Sequence, residues 1–517
     1  MSRRYLYFAV FSSGLTTLAV ELTTSRLLGS VFGTANLVWA SIIGLMLIYL
    51  TLGYFIGGRW ADRSPHYETF YRIMLWGAFT AGLVPLVARP VLRSAANAFD
   101  QLQIGVLGGA FISVLFLFIV PITLLGTISP FAIRLAIEST EDAGKLSGRI
   151  YAVSTLGSFI GTFLPVLILI PLIGTTYSFL VFSGYLLIVA LIGYGLSISW
   201  RRAAVWLWMP IVLLIFGMLW GGGAFKNSEG QVYETESAYN YIQVLQFDEF
   251  TFLRLNDGQG IHSMYHPDQL IYDGPWMQYL AAPYFNPAPY DPSQVESIAI
   301  VGLAAGTTAR QATAAYGPIP IDGYEIDPVI LDVGREYFDM NMPNLNAEAV
   351  DGRWGLEHSE RQYTIIGIDA YRPPYIPWHL TTQEFFQITY DRLTDDGVLV
   401  INVGNPNDPS LLNVLVSTLD TIYPSIYVMD IPGSLNSMVY ATKQPTQFEN
   451  IQENYTYLSN LDDVHSLITT SVGRIIVNRA ETPQGDLVLT DDRAPVEWIV
   501  NNMVIRFVTG NGIEDLQ

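Results

Sequence analysis

The chain of 517 residues contains no cysteine, which excludes disulfide bonds, thiolate nucleophiles and cysteine-ligated metal sites. Histidine is also scarce: six residues are scattered along the chain. None of them belongs to an H-E-x-x-H motif, the pattern that places two zinc ligands on one face of a helix. We therefore expect no metal ion at a functional site.

Charged residues are few as well, making up 14% of the chain against roughly 25% in ordinary soluble domains. The deficit is uneven, because residues 1–222 hold 13 basic and 7 acidic residues, whereas residues 223–517 hold 13 basic and 39 acidic ones. A hydrophobic, mildly basic part and a strongly acidic part are suited to different solvents. The acidic part argues against nucleic-acid binding, which requires cationic side chains to contact phosphates.

Long apolar runs dominate the first 222 residues. A helix needs about 20 mostly apolar residues to cross the hydrocarbon core of a bilayer. Seven such stretches occur, at residues 5–28, 36–58, 70–92, 104–133, 149–171, 175–198 and 203–222. They predict an all-α, polytopic membrane domain of about seven helices over residues 1–222, with the lipid bilayer as its partner. Gly157 and Gly161 in the fifth stretch are typical of closely packed helices.

Lysine and arginine are distributed unequally over the two ends of these stretches. Three of them, Arg89, Arg93 and Lys226, lie at one set of ends, and ten lie at the other: Arg3, Arg4, Arg59, Arg63, Arg72, Arg134, Lys145, Arg149, Arg201 and Arg202. Because basic loops stay in the cytoplasm, this bias predicts a multi-pass protein of the cell membrane with a cytoplasmic N-terminus. If all seven stretches cross, the acidic C-terminal part lies outside the cytoplasm.

From about residue 228 the pattern changes to short alternating runs separated by turns. Residues 237–244 and 252–255 are predicted strands, and the Asn-Asp-Gly sequence at 256–258 predicts a hairpin turn. Four prolines between residues 283 and 292 predict an extended connection. We expect a β-rich lead-in and linker over residues 228–292.

The next segment has the order of a nucleotide-binding unit. An apolar strand at residues 297–301 leads to Gly302 and Gly306, which open a helix, and a second strand ends at Glu325, about 20 positions later. In doubly wound folds small residues let the backbone approach the ligand at a helix N-terminus, and a carboxylate after the second strand accepts from ribose hydroxyls. This order predicts a nucleoside site.

Two further carboxylates follow predicted strands: Asp351 in an acidic turn, and Asp369 after the apolar run 363–368. Ligands of open α/β sheets bind outside the carboxyl ends of the strands, where the strand order reverses. We therefore expect four successive strand ends to contribute to one crevice, within a doubly wound α/β domain spanning residues 293–517.

These residues carry a family resemblance. The order Glu325-Ile-Asp-Pro, Asp351-Gly-Arg and then Asp369 resembles the spermidine synthases, polyamine aminopropyltransferases with an S-adenosylmethionine methyltransferase-like, Rossmann-like fold. The lead-in strands resemble the N-terminal β domain of that family. Residues 377–386 (PWHLTTQEFF) and 489–496 (LTDDRAPV) resemble a branch in which the enzyme is fused to a membrane domain. The resemblance covers roughly residues 230–500.

The resemblance implies decarboxylated S-adenosylmethionine, or S-adenosylmethionine, as the co-substrate. Gly302 and Gly306 would form its binding loop, and Glu325 would bind its ribose. Asp351 and Gly352 would meet the adenine.

On the acceptor side, the resemblance implies transfer of an aminopropyl group to a small cationic amine such as putrescine. Asp369 would deprotonate the attacking amine, with Tyr371 as a second catalytic residue. Tyr239 and Asn240 would contact the substrate. A carboxylate-lined crevice suits cationic substrates.

The sequence also departs from the family pattern. The loop is usually Gly-Gly-Gly-Asp-Gly-Gly but is Gly-Leu-Ala-Ala-Gly-Thr at residues 302–307, so Ala305 stands where an aspartate would hold the aminopropyl ammonium. Asn240 replaces a usual glutamine, and Tyr272-Asp-Gly replaces a usual Tyr-His-Glu. Two alternatives therefore stay open: another S-adenosylmethionine-dependent transferase, and a catalytically degenerate scaffold or accessory subunit of a membrane complex. Homo-oligomerisation is also left open.

Overall fold

A computed structural model describes residues 3–32, 36–102, 106–137, 143–220, 228–256, 260–370, 376–404, 408–483 and 485–509. The chain divides into two compact units, Met1–Asn227 and Ser228–Gln517.

The first unit is helical. Its helices are α1 (Arg3–Phe32), α2 (Asn36–Arg63), α3 (Tyr67–Leu102), α4 (Val106–Gly126), α5 (Ile128–Ala136), α6 (Ala143–Leu164), α7 (Ile170–Ser197), α8 (Trp200–Ala203) and α9 (Trp208–Trp220). A π-helical turn at Pro165–Leu169 joins α6 to α7, and a 3-10 turn at Ala204–Trp206 joins α8 to α9. Within the described residues, six helices are long and apolar enough to cross a membrane.

One of these six, Ala143–Ser197, has 55 residues and contains two predicted stretches. Its backbone leaves the helical region at Gly174, with φ 75° and ψ 173°. On α6, Cβ atoms added at Gly157 and Gly161 would meet the carbonyl oxygens of Phe11 and Leu15, so α6 runs parallel to α1. The two stretches count as separate membrane-crossing helices if α7 runs antiparallel to α6. The total is then seven, as the sequence predicts.

Contacts between α1 and α7 show this reversal. The hydroxyl of Tyr5 donates to the carbonyl of Val189 at 2.7 Å, and Ser12 Oγ lies 2.7 Å from the hydroxyl of Tyr185. Residue numbers thus rise along α1 as they fall along α7, which makes the two helices antiparallel. The turn at Gly174 sends the chain back along the bundle.

The last helix, α9, runs in the same direction as α1. Helix α3 is antiparallel to α7, because Tyr71 faces Gly193 and Gly82 faces Ser183. Helix α9 is parallel to α3: the ring of Trp76 lies against Trp208, and Leu213 lies against Gly82. Since α1, α3 and α9 all run one way, α9 ends at the opposite end of the bundle from the start of α1.

The second unit begins with a four-stranded antiparallel sheet in the order β1-β2-β3-β4. The strands are β1 (Gln231–Glu236), β2 (Tyr241–Phe247), β3 (Phe250–Leu255) and β4 (Ile261–Tyr265). The β-rich lead-in is thus present, but β2 begins at Tyr241 and not at the predicted Ser237. Hydrogen bonds from Ser237 and Asn240 to Asp327 hold residues 237–240 in a turn, which displaces the start of the strand.

Half of the segment expected to be an extended connection, residues 283–292, is buried. A 3-10 helix, Trp276–Phe285, packs into the main core with every one of its residues buried, Pro283 included. Its Tyr279 donates a hydrogen bond to the carbonyl of Ile368, at the end of a strand of the larger sheet. The first residues of the expected connection, up to Phe285, are therefore 3-10 helix within the core and not extended.

The larger sheet has eight strands in the order β12-β10-β11-β9-β8-β5-β6-β7. They are β5 (Ile298–Val301), β6 (Ile321–Glu325), β7 (Leu345–Ala349), β8 (Tyr363–Ile368), β9 (Leu393–Gly404), β10 (Ser425–Asp430), β11 (Asn436–Thr442) and β12 (Arg479–Ala480). The helices between and after them are α10 (Thr307–Tyr316), α11 (Pro328–Tyr337), α12 (Gly352–His358), α13 (Gln383–Arg392), α14 (Ser410–Leu419), α15 (Glu449–Ser459), α16 (Ser466–Val477) and α17 (Val496–Thr509).

The order of these strands sets the position of a ligand site. Strands β7, β6, β5, β8 and β9 are parallel, whereas β11 runs antiparallel to β9 and β10. The chain winds outward from β5 in one direction through β6 and β7, and in the other through β8 and β9, so the switch point lies between β5 and β8. The predicted doubly wound α/β fold is confirmed.

Helix packing in the first unit is tight enough to test with one methyl group. A Cβ at Gly157 would lie 2.1 Å from the carbonyl oxygen of Phe11, whereas a Cβ at Gly44, in α2, meets nothing within 4 Å. We expect Gly157→Ala to destabilise the full chain by about 1–3 kcal/mol through overpacking. The matched control Gly44→Ala should be neutral or slightly stabilising, since alanine favours the helix. Thermal denaturation in detergent tests this, and equal melting temperatures for the two variants would contradict the packing described.

Candidate active site at the switch point

The loop after β5 passes very close to the end of β8. Gly302 has φ +85°, and a Cβ added there would lie 2.6 Å from the carbonyl of Asp369, so only glycine fits. Ala304 also has a positive φ of 48°, and Gly306, at φ +83°, is the N-cap of α10. The amides of Gly302 and Leu303 both donate to the carbonyl of Tyr324. The loop is thereby fixed between β6 and β8.

Glu325 links the end of β6 to this loop. One of its carboxylate oxygens accepts from the amide of Ala304 at 3.0 Å, and the other accepts from the amide of Asp327 at 3.2 Å. Burial of the carboxyl raises the pKa of Glu325 to about 7, although the backbone donors act in the opposite direction. Each oxygen keeps a lone pair, so the group can still accept from ligand hydroxyls.

Asp351 lies after β7 and is held on both sides. It caps α12, with one oxygen accepting from the amides of Arg353 and Trp354. Its other oxygen lies 2.8 Å from Nε2 of His379, and this hydrogen bond lowers the pKa of Asp351. Gly352 begins the same helix and is buried against Val301 of β5. Both residues predicted to meet the adenine therefore lie at the carboxyl end of the sheet.

The partner of Asp351 belongs to a network that the sequence did not predict. Arg353 donates to the carbonyl of His379 and makes a two-pronged ion pair with Asp491, at 2.7 and 2.6 Å. Asp491 also accepts from the hydroxyl of Thr382 at 2.7 Å. The two segments that resemble a membrane-fused branch, 377–386 and 489–496, thus meet beside Asp351. Their shared resemblance could have suggested that they lie close together, but it predicted no contact.

Asp369 stands at the end of β8, with its amide donating to the carbonyl of Val301. One carboxylate oxygen accepts from the side-chain amide of Asn402 at 2.8 Å, and Asn402 in turn accepts from Asn436 at 2.9 Å. Burial raises the pKa of Asp369 to about 6, against the effect of the Asn402 hydrogen bond. The side chain is nevertheless partly exposed.

That exposure is to a cavity of about 620 Å³. Asp369, Asn402 and Ala304 line it on the sheet side, and Asp273 and His262 line it elsewhere. Glu325 and Asp351 are not among the lining residues. Of the predicted site residues that the structure describes, Asp369 alone lines this cavity.

His262 is a second residue that the sequence reading missed. It lies on β4, and its Nε2 is buried without a hydrogen-bond partner within the described parts of the chain. Burial lowers the pKa of His262 to about 4, so the imidazole is uncharged at neutral pH. Nothing in the local sequence distinguished it, because its position on the cavity depends on how the small sheet packs on the α/β domain.

The remaining predicted residues differ in their placement. The side-chain amide of Asn240 donates to Asp327 at 2.9 Å and accepts from Asn256 at 2.9 Å, so both of its polar atoms are engaged by the protein. Tyr239 is exposed. Tyr371 lies outside the described residues. Ala305 is buried in an apolar cluster, and its amide donates to Ser263.

Within the described residues, no group of three or more His, Cys, Asp or Glu side chains is placed to hold a metal ion. The acids instead form two classes. Loss of solvation raises the pKa of Glu325 and of Asp369, whereas the hydrogen bond from His379 lowers the pKa of Asp351. Acids whose environments push their pKa values apart are suited to different chemical roles.

About half of the chain is similar in sequence to known proteins. It is 30% identical over 281 residues to a "Probable polyamine aminopropyl transferase" of Bifidobacterium longum (strain NCC 2705); the match covers 51% of this chain and spans 61% of that relative's length. It is 26% identical over 306 residues to a "Polyamine aminopropyltransferase" of Vibrio vulnificus (strain CMCP6), covering 56% of this chain and 98% of the relative.

Among solved structures, a probable spermidine synthase from Corynebacterium glutamicum ATCC 13032 aligns with a TM-score of 0.40 and 17% identity, over 52% of this chain and 99% of that one. No protein-family model matches the chain. The expected similarity to polyamine aminopropyltransferases is thus confirmed for about half of the sequence, beside a part made of long apolar helices.

The raised pKa of Asp369 has a consequence for stability. The folded pKa of about 6 lies above the unfolded value of about 3.9, so the ionised carboxylate opposes folding, and stability falls as pH rises from 4 through 6. Asparagine keeps the bond to Asn402 without the charge. Allowing for partial solvent screening, we expect Asp369→Asn to stabilise the chain by about 1–2 kcal/mol at pH 7.5 and hardly at all near pH 4. Denaturation at both pH values measures this, and a pH-independent loss of stability would refute it.

Proposed function

We propose that residues 228–517 transfer the aminopropyl group of decarboxylated S-adenosylmethionine to a primary amine, putrescine being the acceptor that the family resemblance suggests. The amine nitrogen attacks the methylene carbon bound to the sulfonium sulfur. A carbon–nitrogen bond forms as the carbon–sulfur bond breaks, and the bonding pair stays on sulfur. The products are methylthioadenosine, a neutral thioether, and the extended amine, whose nitrogen loses one proton.

One observation carries this proposal: the half-buried carboxylate of Asp369 lies where the Gly302–Gly306 loop meets a cavity of about 620 Å³. An alkylammonium with a pKa of roughly 10 cannot attack until it loses a proton. The apolar walls of the cavity disfavour the charged amine, and burial raises the pKa of Asp369 to about 6. The two effects bring the pKa of the ammonium and the pKa of Asp369 closer together. A general base that acts near neutral pH requires such a match.

The donor would bind along the ends of β5, β6 and β7. Glu325 would accept from the ribose hydroxyls, and Asp351, fixed by His379 and the start of α12, would face the adenine beside Gly352. The sulfonium would then lie near Ala304, which borders the cavity that contains Asp369. Buried carboxylates on either side of a cationic sulfur favour its binding.

Donor binding depends on Glu325 in this proposal. We expect calorimetry of the full chain in detergent to detect decarboxylated S-adenosylmethionine and methylthioadenosine, and Glu325→Ala to weaken both roughly 10- to 100-fold through the loss of charge-assisted hydrogen bonds. Glu453→Ala, at an exposed site on α15, is the matched control and should bind normally. Absence of heat from the unmodified chain with either nucleoside, and with S-adenosylmethionine, would favour the scaffold alternative.

We further propose that the first unit anchors the enzyme in a membrane. Its apolar helices are long enough to cross, and α9 ends at the opposite end of the bundle from the start of α1. With the basic N-terminal end in the cytoplasm, residues 228–517 would lie outside it. The boundaries at 1–222, 228–292 and 293–517, and partners in a homo-oligomer or membrane complex, stay predictions.

The absence of native cysteine makes this orientation simple to test. Single substitutions His66→Cys, between α2 and α3, and Glu453→Cys, on α15, are both at exposed positions. In intact cells, a membrane-impermeant maleimide should label the Glu453→Cys variant and should label the His66→Cys variant only after lysis. The reverse pattern would place the α/β domain in the cytoplasm and contradict the proposed orientation.

A further inference from the structure

The walls of the cavity beside Asp369 are mostly apolar. They come from β4, from the start of the Trp276–Phe285 3-10 helix, from the turn between β10 and β11, and from α17. Ile261 is 40% exposed and Leu435 is 47% exposed, so both present apolar surface that no other described part of the chain covers. Trp276, Val500 and Met503 complete these walls and are themselves buried. Such a surface favours an apolar guest.

Negative charge in the cavity is confined to its base and its rim. Asp369 is at the base, beside the Gly302–Gly306 loop. Asp273 also lines the cavity, but its side chain is 95% exposed, and it accepts from Arg474 at 3.1 Å. Of the described residues that line the cavity, no other carries a carboxylate. Glu497 precedes Val500 by one helical turn on α17 and is not among the lining residues.

His262 is a second titratable residue in the cavity wall, but it does not supply a negative charge. Its imidazole lines the cavity with Nε2 buried and unpartnered among the described residues. Because burial keeps this ring neutral, it can exchange a hydrogen bond with a guest but cannot neutralise a cation. Among the described lining residues, the far ammonium of a diamine would therefore meet no buried counter-charge, and its desolvation would be unfavourable.

We propose that the acceptor is a primary amine with a single cationic group on an apolar body, and that this cavity selects against diamines. Asp369 and Asn402 hold the reacting nitrogen, and the apolar walls bind the rest of the molecule. This inference rests on the proposed aminopropyl transfer, and it replaces putrescine, the acceptor suggested by the family resemblance, with monoamines as the substrate class.

A matched pair of amines tests the inference. With the full chain in lipid nanodiscs and decarboxylated S-adenosylmethionine as donor, we expect kcat/KM for 1-aminobutane to exceed that for putrescine, its diamine counterpart, by tenfold or more. Equal values, or a preference for putrescine, would overturn the inference and leave the transfer reaction intact.

Binding without turnover separates this inference from the reaction itself. Calorimetry with methylthioadenosine present should show tighter binding of 1-aminobutane than of putrescine. If neither amine is ever alkylated but this order of binding holds, the cavity has been assigned correctly and the proposed transfer fails. Equal binding, or tighter binding of putrescine, contradicts the inference whether or not transfer occurs.

A change of charge at His262 provides the complementary test. His262→Glu places a carboxylate in the cavity and should shift the ratio of the two kcat/KM values toward putrescine by tenfold or more. His262→Gln alters the side chain without adding charge, and its ratio should stay close to that of the unmodified protein. If the two variants give the same ratio, His262 does not face the acceptor.

Discussion

The arrangement of the site depends on the close approach of two backbone segments at the switch point. Gly302 passes so near the carbonyl of Asp369 that no side chain fits between them, and the amide of Asp369 is bonded to the last residue of β5. This approach places a loop suited to a nucleoside directly beside a carboxylate suited to a base. The fold alone creates that neighbourhood, whereas the side chains around it decide which reaction it supports.

Burial and hydrogen bonding shift the pKa values of the acids of the site in opposite directions. Burial raises the pKa of Glu325 to about 7 and that of Asp369 to about 6, so ionising either carboxyl in the folded protein lowers its stability. Asp351 is stabilised as an anion by His379 and two amides. Carboxylates with a pKa raised by burial are typical of functional sites.

Local pattern was sufficient for much of this structure. The apolar stretches predicted the helical unit, and glycines and acids at strand ends predicted the doubly wound sheet and brought Glu325, Asp351 and Asp369 to one edge. What the pattern could not give was contact between distant segments. The pairing of His379 with Asp351 and the position of His262 on the cavity depend on tertiary packing. The turn at 237–240, where the pattern predicts strand, is held by local bonds between Ser237 and Asn240 and by bonds from both side chains to Asp327, 87 or more residues away.

The most direct test of the proposed chemistry is the balance of its products. Full-length protein in nanodiscs, supplied with decarboxylated S-adenosylmethionine and an amine, should yield methylthioadenosine and an amine heavier by one aminopropyl group in equal amounts, as measured by mass spectrometry. Asp369→Asn should reduce both products together, by roughly 100-fold or more, as expected for loss of a general base. Donor binding without either product, or methylthioadenosine formed without the extended amine, would contradict aminopropyl transfer.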